Sequence, residues 1–206
     1  MYAFNTDLRV ILIGGTSNVG KSTVAQMLAE KLGWHYIATD YLARHPGRPW
    51  RTPEKEVPPH VAEHYLTLSL EELITDVLRH YKNLLPQITA TITQHATDLS
   101  TDCLIMEGSA LWPESIAPLN IDKVGAIWLT ASNDLFQHRM YTASQYEQAS
   151  PREKEMVDKF LGRTKIYNER MMDAVNRLGL ASLNVEEATT LDELAVLCLD
   201  ALQRQG

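Results

Sequence analysis

The sequence predicts an α/β domain built on a parallel sheet, and two observations predict this fold class. First, five short apolar runs with strand character alternate along the chain with longer stretches whose apolar residues recur at helical spacing. Second, the first of these runs leads into a glycine-rich loop that is followed directly by a helical stretch. Strands and helices that alternate in this way, joined by right-handed crossovers, give a three-layer fold with helices on both faces of the sheet.

The predicted elements follow one another in a regular order. Because apolar, aromatic or β-branched residues dominate in five short segments, we expect strands at 10–13, 34–40, 103–106, 124–129 and 180–185. Apolar periodicity and capping signals such as Ser69 with Glu72 predict helices after the glycine-rich loop as far as Gly33, at 69–81, at 85–99, from Ser132, at 151–178 and from Thr190.

The glycine-rich loop matches the phosphate-loop pattern G-x-x-x-x-G-K-[ST] at every fixed position. Its glycines let several backbone N–H groups converge on one phosphate, and the helix that follows adds the positive end of its dipole. The lysine of the motif is expected to reach the β- and γ-phosphates of a nucleotide, and the next hydroxyl to ligate Mg²⁺. The predicted nucleotide-binding residues are Gly15, Thr16, Ser17, Asn18, Val19, Gly20, Lys21, Ser22 and Thr23, with Lys21 also catalytic and Ser22 a metal ligand.

Two carboxylates follow predicted strands. Asp40 ends the second strand and is expected to share a rim with the phosphate loop, because ligands of open parallel sheets lie beyond the carboxyl ends of the strands. We interpret Asp40 as the group that activates an acceptor hydroxyl, with a Mg²⁺-shell or purely structural role as the alternative. Glu107 follows the third strand like a Walker B residue and is predicted to hold Mg²⁺, the alternative being a solvated carboxylate. Gly108 is expected to leave room for the substrate.

Basic residues are concentrated in two regions. In a substrate-facing insertion at about 41–67, Arg44, Arg48 and Arg51 predict a clamp for an oxyanion of the acceptor, or else an exposed basic loop. In a lid region at about 136–165, Arg139 and Arg163 are predicted to close on the transferring phosphate, or else to lie on solvated helix faces. Trp50 and Trp112 are candidate walls of the acceptor pocket, or else packing residues.

Length and composition restrict the organisation and the partners of the protein. With 206 residues, the chain is expected to form a single domain spanning residues 1–206. Its net charge of −7 argues against general binding of nucleic acid, whose footprint is a basic surface. The two distant cysteines fit a reducing compartment, and neither a signal peptide nor a membrane span is apparent, so we expect a cytoplasmic protein. The sequence does not indicate an oligomeric state.

The phosphate loop, Asp40 after the second strand and Met106-Glu107-Gly108 after the third together resemble the small P-loop kinases of the adenylate-kinase-like group. Within that group the chain is similar to 2-phosphoglycerate kinase, chloramphenicol phosphotransferase and the zeta-toxin type. The resemblance implies a P-loop NTPase fold with sheet order 2-3-1-4-5, a lid that carries arginines, and ATP with Mg²⁺ as phosphoryl donor. It also implies that the Asp after the second strand activates the acceptor hydroxyl.

The predicted function is that of an ATP-dependent kinase, which transfers the γ-phosphoryl group to a hydroxyl of a small and possibly anionic molecule. A nucleoside or nucleotide kinase is the alternative among enzymes. A nucleotide-binding regulatory ATPase or switch is the alternative of another class. The base-reading N-K-x-D sequence that a GTPase switch is expected to carry is absent, which favours transfer to an acceptor.

Overall fold

A sheet of five parallel strands forms the centre of the computed structural model, which describes residues 7–42, 46–52 and 56–204. The strand order is β2-β3-β1-β4-β5, which confirms the predicted order. The strands are β1 (Val10–Gly15), β2 (His35–Ala38), β3 (Leu104–Glu107), β4 (Val124–Thr130) and β5 (Ser182–Asn184). Two strands are therefore shorter than predicted, because the chain turns away from the sheet after Ala38 and pairs with β4 only through Ser182–Asn184.

Helices connect the strands as the alternating sequence pattern predicts. They are α1 (Lys21–Leu32), α2 (Pro59–Thr67), α3 (Leu70–Thr97), α4 (Pro113–Ile116), α5 (Asn133–Ser144), α6 (Pro151–Leu178) and α7 (Leu191–Gln203). The predicted capping boxes form at the starts of α3 and α6, where Ser69 pairs with Glu72 and Ser150 with Glu153. Within the described part of the chain, no helix combines the length and the apolar composition that crossing a bilayer requires.

The sheet separates two buried apolar clusters. Successive residues of β1 point to opposite faces, so that Ile11 and Ile13 pack with α1, α5 and α7, whereas Val10 and Leu12 pack with α3, α4 and the second half of α6. All six residues of β1 are buried, as expected for a central strand covered on both faces. The phosphate loop therefore follows directly from the buried central strand β1, which holds the start of the loop in place.

The prediction of two separate helices at 69–81 and 85–99 is wrong, because α3 is continuous and contains Pro86. Proline removes one hydrogen bond of a helix interior, which favours a break. Here the apolar stripe of the two predicted helices runs in one register through Val77, Leu84, Ile88 and Ile92, all of them buried. Burial of that long stripe against the sheet outweighs the lost hydrogen bond.

The predicted insertion and lid regions both contain regular structure. The last part of the insertion forms α2, which begins with Pro59 in its first turn. In the lid region, the short connection between α5 and α6 is braced by two stacked tyrosine rings, Tyr141 and Tyr146, whose centroids are 3.8 Å apart. Both hydroxyls donate to Asp158, at 3.0 and 2.8 Å, so this connection is tied to the body of α6.

Candidate functional site

A cleft of about 1140 Å³ lies at the carboxyl ends of the strands, and the phosphate loop forms part of its wall. The ends of β2 and β3, residues 46–52 and parts of α2, α3, α5, α6 and α7 complete the lining. Among the predicted site residues, the cleft is lined by Ser17, Asn18, Val19, Gly20, Lys21, Ser22, Thr23, Asp40, Arg48, Glu107, Gly108, Arg139 and Arg163. Arg44 lies outside the described residues.

The phosphate loop joins the end of β1 to the start of α1. At Gly15, φ is +143° and a Cβ would come within 2.8 Å of the Leu129 carbonyl oxygen, so only glycine fits this bend. The helix α1 begins without a side-chain cap, and its first N–H groups remain available to an anion. The geometry is that of an anion cradle, as the motif predicts.

Lys21 is buried in this loop and only 8% exposed. Its ammonium group donates a hydrogen bond of 2.9 Å to the Thr16 carbonyl oxygen across the loop. Burial lowers the pKa of Lys21, the nearby charges of Glu107 and Asp40 raise it, and the charge of Arg48 lowers it. Glu107, Asp40 and Arg48 therefore each lie within electrostatic reach of Lys21.

Arg139 contacts the backbone of the phosphate loop. Its Nη1 atom donates to the carbonyl oxygens of Asn18 and Val19, at 3.0 and 2.9 Å. Since a carbonyl and the next N–H of a trans peptide point in opposite directions, these bonds fix the direction of the N–H groups of Val19 and Gly20. Arg139 thus supports the loop in addition to lining the cleft, a role that helical periodicity alone does not indicate.

Glu107 ends β3 and is only 4% exposed. Its Oε1 atom accepts two hydrogen bonds, from Ser22 Oγ at 2.8 Å and from the Tyr36 hydroxyl at 3.0 Å. The two predicted metal ligands, Ser22 and Glu107, are therefore in direct contact. Burial and the charge of Glu107 raise the pKa of Tyr36, so its hydroxyl keeps its proton and remains a donor.

The oxygen donors of Ser22 and Glu107 are of the type that Mg²⁺ prefers. Within residues 7–42, 46–52 and 56–204, the protein has no group of three or more His, Cys, Asp or Glu side chains that could hold a metal ion by itself. Mg²⁺ commonly uses one or two protein carboxylates together with substrate phosphates. The pair beside the phosphate loop fits that pattern.

Gly108 lines the cleft and also has a packing role that was not predicted. Its φ is +156°, and a Cβ would lie 1.7 Å from Thr39 Oγ1, so the absent side chain makes room for Thr39 rather than only for a substrate. The buried Thr39 thereby packs against the end of β3. Asp40 follows in a 3-10 turn at Thr39–Tyr41, is exposed and faces the cleft. The contact between Thr39 and Gly108 thus sets where Asp40 stands relative to Glu107.

The far wall of the cleft is aromatic and basic. Trp50 is buried against Phe160 in an edge-on contact with ring centroids 5.2 Å apart. The guanidinium of Arg48 lies 5.9 Å from the centre of the Trp50 ring. Two residues that were predicted for the acceptor site do not line this cleft. Arg51 is exposed outside it, and Trp112 packs edge-on against Tyr167 with ring centroids 5.1 Å apart. Trp112 is therefore a packing residue, contrary to its candidate role.

Arg163 carries a buried charge at the cleft wall. The residue is 6% exposed, and its guanidinium carbon lies 4.6 Å from the Phe160 ring centre and 5.5 Å from that of Tyr65. Its Nη1 atom is buried and has no hydrogen-bond partner among the described residues. A buried guanidinium with a free donor is costly unless an anion meets it. The alternative of a solvated helix face is wrong for Arg163, although it fits Arg170, which pairs with Glu71 at the surface.

The sequence profile of a protein family described as an AAA domain matches residues 11–159. The chain belongs to this AAA domain family. The match includes the phosphate loop, Asp40, Glu107 and Arg139, and a phosphate loop of this kind implies a nucleotide substrate. A search of curated proteins found no match.

Solved structures with a similar fold include small-molecule kinases. A gluconokinase from Sinorhizobium meliloti 1021 is 17% identical, with 95% of this chain and 92% of that chain covered and a TM-score of 0.53. A shikimate kinase from Aquifex aeolicus vf5 is 14% identical, with coverages of 95% and 97% and a TM-score of 0.54. A shikimate kinase from Acinetobacter baumannii in complex with shikimate is 16% identical, with coverages of 98% and 97% and a TM-score of 0.50. At these identities the likeness concerns the fold, and it confirms the predicted fold of the small P-loop kinases.

The site of this AAA domain also contains a polar contact of Tyr36 that local sequence patterns do not indicate. The sequence shows Tyr36 as an aromatic residue of a predicted strand, and in the structure its hydroxyl reaches Glu107. The strand register explains the contact, because Ala38 pairs with Glu107 and Tyr36 lies two residues earlier on the same face. The contact between Tyr36 and Glu107 can therefore be predicted only when β2 and β3 are known to be neighbouring strands.

We predict that Gly108→Ala lowers the free energy of unfolding by about 2 to 4 kcal/mol, because the new Cβ overlaps Thr39 and the backbone conformation disfavours L-residues. Urea unfolding followed by circular dichroism measures the loss. The matched control is Gly47→Ala, where a Cβ meets nothing within 4 Å, and we expect a change below about 0.5 kcal/mol. Equal stabilities of the two variants would contradict the close packing of Thr39 on Gly108.

Proposed function

We propose that this AAA domain protein is an ATP-dependent kinase that transfers the γ-phosphoryl group to a hydroxyl of a small anionic molecule. One observation carries the proposal: a phosphate loop and an exposed carboxylate, Asp40, line the same cleft. The volume of about 1140 Å³ exceeds the roughly 300 to 1,000 Å³ usual for one ligand, which leaves space for a nucleotide and an acceptor together. The free thiols of Cys103 and Cys198 support the cytoplasm as its compartment.

The nucleotide end of the cleft is the phosphate loop with Lys21, Arg139, Ser22 and Glu107. Lys21 and the N–H groups at the start of α1 bind the β- and γ-phosphates, and Arg139 keeps the loop in shape. Ser22 and Glu107 are the residues suited to hold Mg²⁺, which when bound neutralises charge on the β- and γ-phosphate oxygens.

Asp40 is the proposed base for the acceptor hydroxyl. It is exposed to the cleft and close enough to Lys21 for its charge to act on the ammonium group. Phosphoryl transfer requires mostly positioning and charge neutralisation, together with one group that orients or deprotonates the nucleophile. Glu107 is less suited to that task, because Oε1 of its buried carboxylate already accepts hydrogen bonds from two hydroxyl groups.

The acceptor end is formed by residues 46–52 and α2 from the insertion together with the neighbouring face of α6, and its cations support an anionic acceptor. Arg48 and Arg163 both line the cleft of a protein whose net charge is −7. Guanidinium groups bind carboxylate and phosphate oxygens through paired hydrogen bonds. The free Nη1 donor of Arg163 is available either to the transferring phosphoryl group, as in a lid, or to an oxyanion of the acceptor.

Consumption of ATP, measured against a panel of sugar acids, phosphoglycerates, nucleosides, sugars and antibiotics, tests the proposal. A kinase of the proposed class forms a phosphorylated product only with the correct acceptor, and that acceptor carries a carboxylate or phosphate. Phosphorylation of a nucleoside or nucleotide supports the alternative enzyme class. Acceptor-independent hydrolysis without any phosphorylated product supports a regulatory ATPase or switch.

We predict that Lys21→Met abolishes phosphoryl transfer and weakens ATP binding by about tenfold to a hundredfold, because a charge-assisted contact to phosphate is lost. The methionine keeps the apolar stem that the loop buries, so the melting temperature should not fall. Isothermal titration calorimetry, a coupled kinase assay and a thermal melt measure the three quantities. Unchanged ATP affinity and turnover would remove Lys21 from the site.

A further prediction distinguishes the role of Asp40 from that of Glu107. Asp40→Asn should keep Mg²⁺-dependent ATP binding within a few-fold and lower kcat by about 10²-fold or more, because the base is lost. Glu107→Gln should instead raise the Mg²⁺ concentration needed for half-maximal binding. If Asp40→Asn loses Mg²⁺ dependence while Glu107→Gln is silent, Asp40 belongs to the metal shell.

A third prediction concerns the acceptor. Arg48→Ala should raise the KM for the anionic acceptor by roughly tenfold to a hundredfold with little change in ATP affinity, because one charge-assisted contact is removed. Arg51→Ala is the matched control, since Arg51 stands three positions away and outside the cleft. Added salt should raise the acceptor KM of the wild type. Equal KM values for both variants and no effect of salt would rule out the clamp.

A further inference from the structure

Tyr36 makes a contact that the proposed reaction does not yet use. Its hydroxyl donates to Glu107 Oε1 at 3.0 Å, and Ser22 Oγ donates to the same oxygen at 2.8 Å. Tyr36 belongs to β2, Glu107 to β3 and Ser22 to α1, so three separate elements meet at one carboxylate oxygen. Among the described residues, no group donates a hydrogen bond to the other oxygen, Oε2.

We propose that Tyr36 is a positioning residue, which holds the Glu107 carboxylate in the orientation that receives the nucleotide-bound divalent cation. The inference rests on the proposed function, because it concerns the same site. With two hydroxyl donors on Oε1, rotation of the carboxylate is restricted and Oε2 is left as the acceptor for the cation or for its water. Groups that orient a metal-binding carboxylate through a hydrogen bond commonly change metal affinity by about 10- to 100-fold.

The geometry of the strands makes this arrangement specific to Tyr36. In the parallel register, Tyr36 pairs with Ile105 and Ala38 with Glu107, so the side chains of positions 36 and 107 share the α1 face of the sheet with an offset of two residues. A tyrosine at this offset is long enough to reach along the face to the carboxylate. A phenylalanine would fill the same apolar space and leave Oε1 with Ser22 alone.

The Ser22 hydroxyl explains why a second donor is useful. If the Ser22 oxygen binds a cation through a lone pair, its hydrogen bond to Glu107 becomes coupled to the position of that cation. The Tyr36 hydroxyl comes from β2, on the opposite side of β3 from β1, and is independent of the phosphate loop. It therefore keeps the carboxylate in place while the loop and helix α1 accommodate the nucleotide.

The test compares wild type with Tyr36→Phe by titrating ATP at increasing Mg²⁺ in a calorimeter, and by electron paramagnetic resonance of Mn²⁺ in the presence of a non-hydrolysable ATP analogue. We expect ATP affinity without metal to change less than twofold. The metal concentration for half-maximal tightening of ATP binding should rise roughly tenfold. Tyr36→Met, which also lacks a donor, should give the same result if the phenylalanine variant melts early.

Two controls distinguish a positioning role from simple packing. In a Glu107→Gln background, Tyr36→Phe should cause no further loss of metal dependence, because its effect passes through the carboxylate. Tyr146→Phe removes a similar hydroxyl bond of 2.8 Å, to Asp158 outside the cleft, and should leave metal dependence unchanged. The proposal fails if Tyr36→Phe responds to metal like the wild type, or if its loss persists fully in the Glu107→Gln background. Failure of the wild type to bind any nucleotide overturns the kinase proposal itself.

Discussion

The contact of Glu107 with Ser22 and Tyr36 is the interaction on which the rest of the site depends. Burial of a carboxylate that is only 4% exposed is costly unless hydrogen bonds and nearby positive charge compensate for the lost water. Two hydroxyl donors and the neighbouring Lys21 ammonium supply that compensation. The same contacts join β2, β3 and α1 at the carboxyl edge of the sheet. Stabilising the buried charge therefore also assembles the nucleotide end of the cleft.

The acceptor side depends on the packing of aromatic rings around a second buried charge. Phe160 contacts Trp50 from the insertion and the guanidinium of Arg163 from its own helix, and Tyr65 of α2 closes the other side. Since the rings make cation–π contacts but no hydrogen bond to Nη1, they hold Arg163 in place without neutralising it. The hydrogen bonds from the Tyr141 and Tyr146 hydroxyls to Asp158 also hold the connection between α5 and α6 in place. The arginines of the predicted lid region are thus already present at the cleft.

The sequence predicted those parts of the fold and site that local patterns determine. The order of strands and helices follows from apolar periodicity, and the phosphate loop from a motif whose backbone geometry is nearly invariant. The predicted break between 81 and 85 does not form, because the rule for proline is local, whereas the stripe that keeps α3 continuous is buried by the distant sheet. Tyr36, the loop-bracing bonds of Arg139 and the fit of Thr39 over Gly108 were missed for one reason. Each joins residues far apart in sequence through a register or crossing that no local pattern encodes.

The net negative charge of the whole protein differs from the local charge of the cleft, where basic side chains are concentrated. At a net charge of −7, the protein as a whole repels anions. Physiological salt screens this repulsion over a distance of about 8 Å. Among the described residues inside the cleft, four cations stand beside three carboxylates, and each charge acts more strongly there than it does in water. The cations are Lys21, Arg48, Arg139 and Arg163, and the carboxylates are Asp40, Glu56 and Glu107. A small anion that enters the cleft would meet Lys21 and the three arginines at short range, where salt screens their charges much less than it screens the charge of the whole protein.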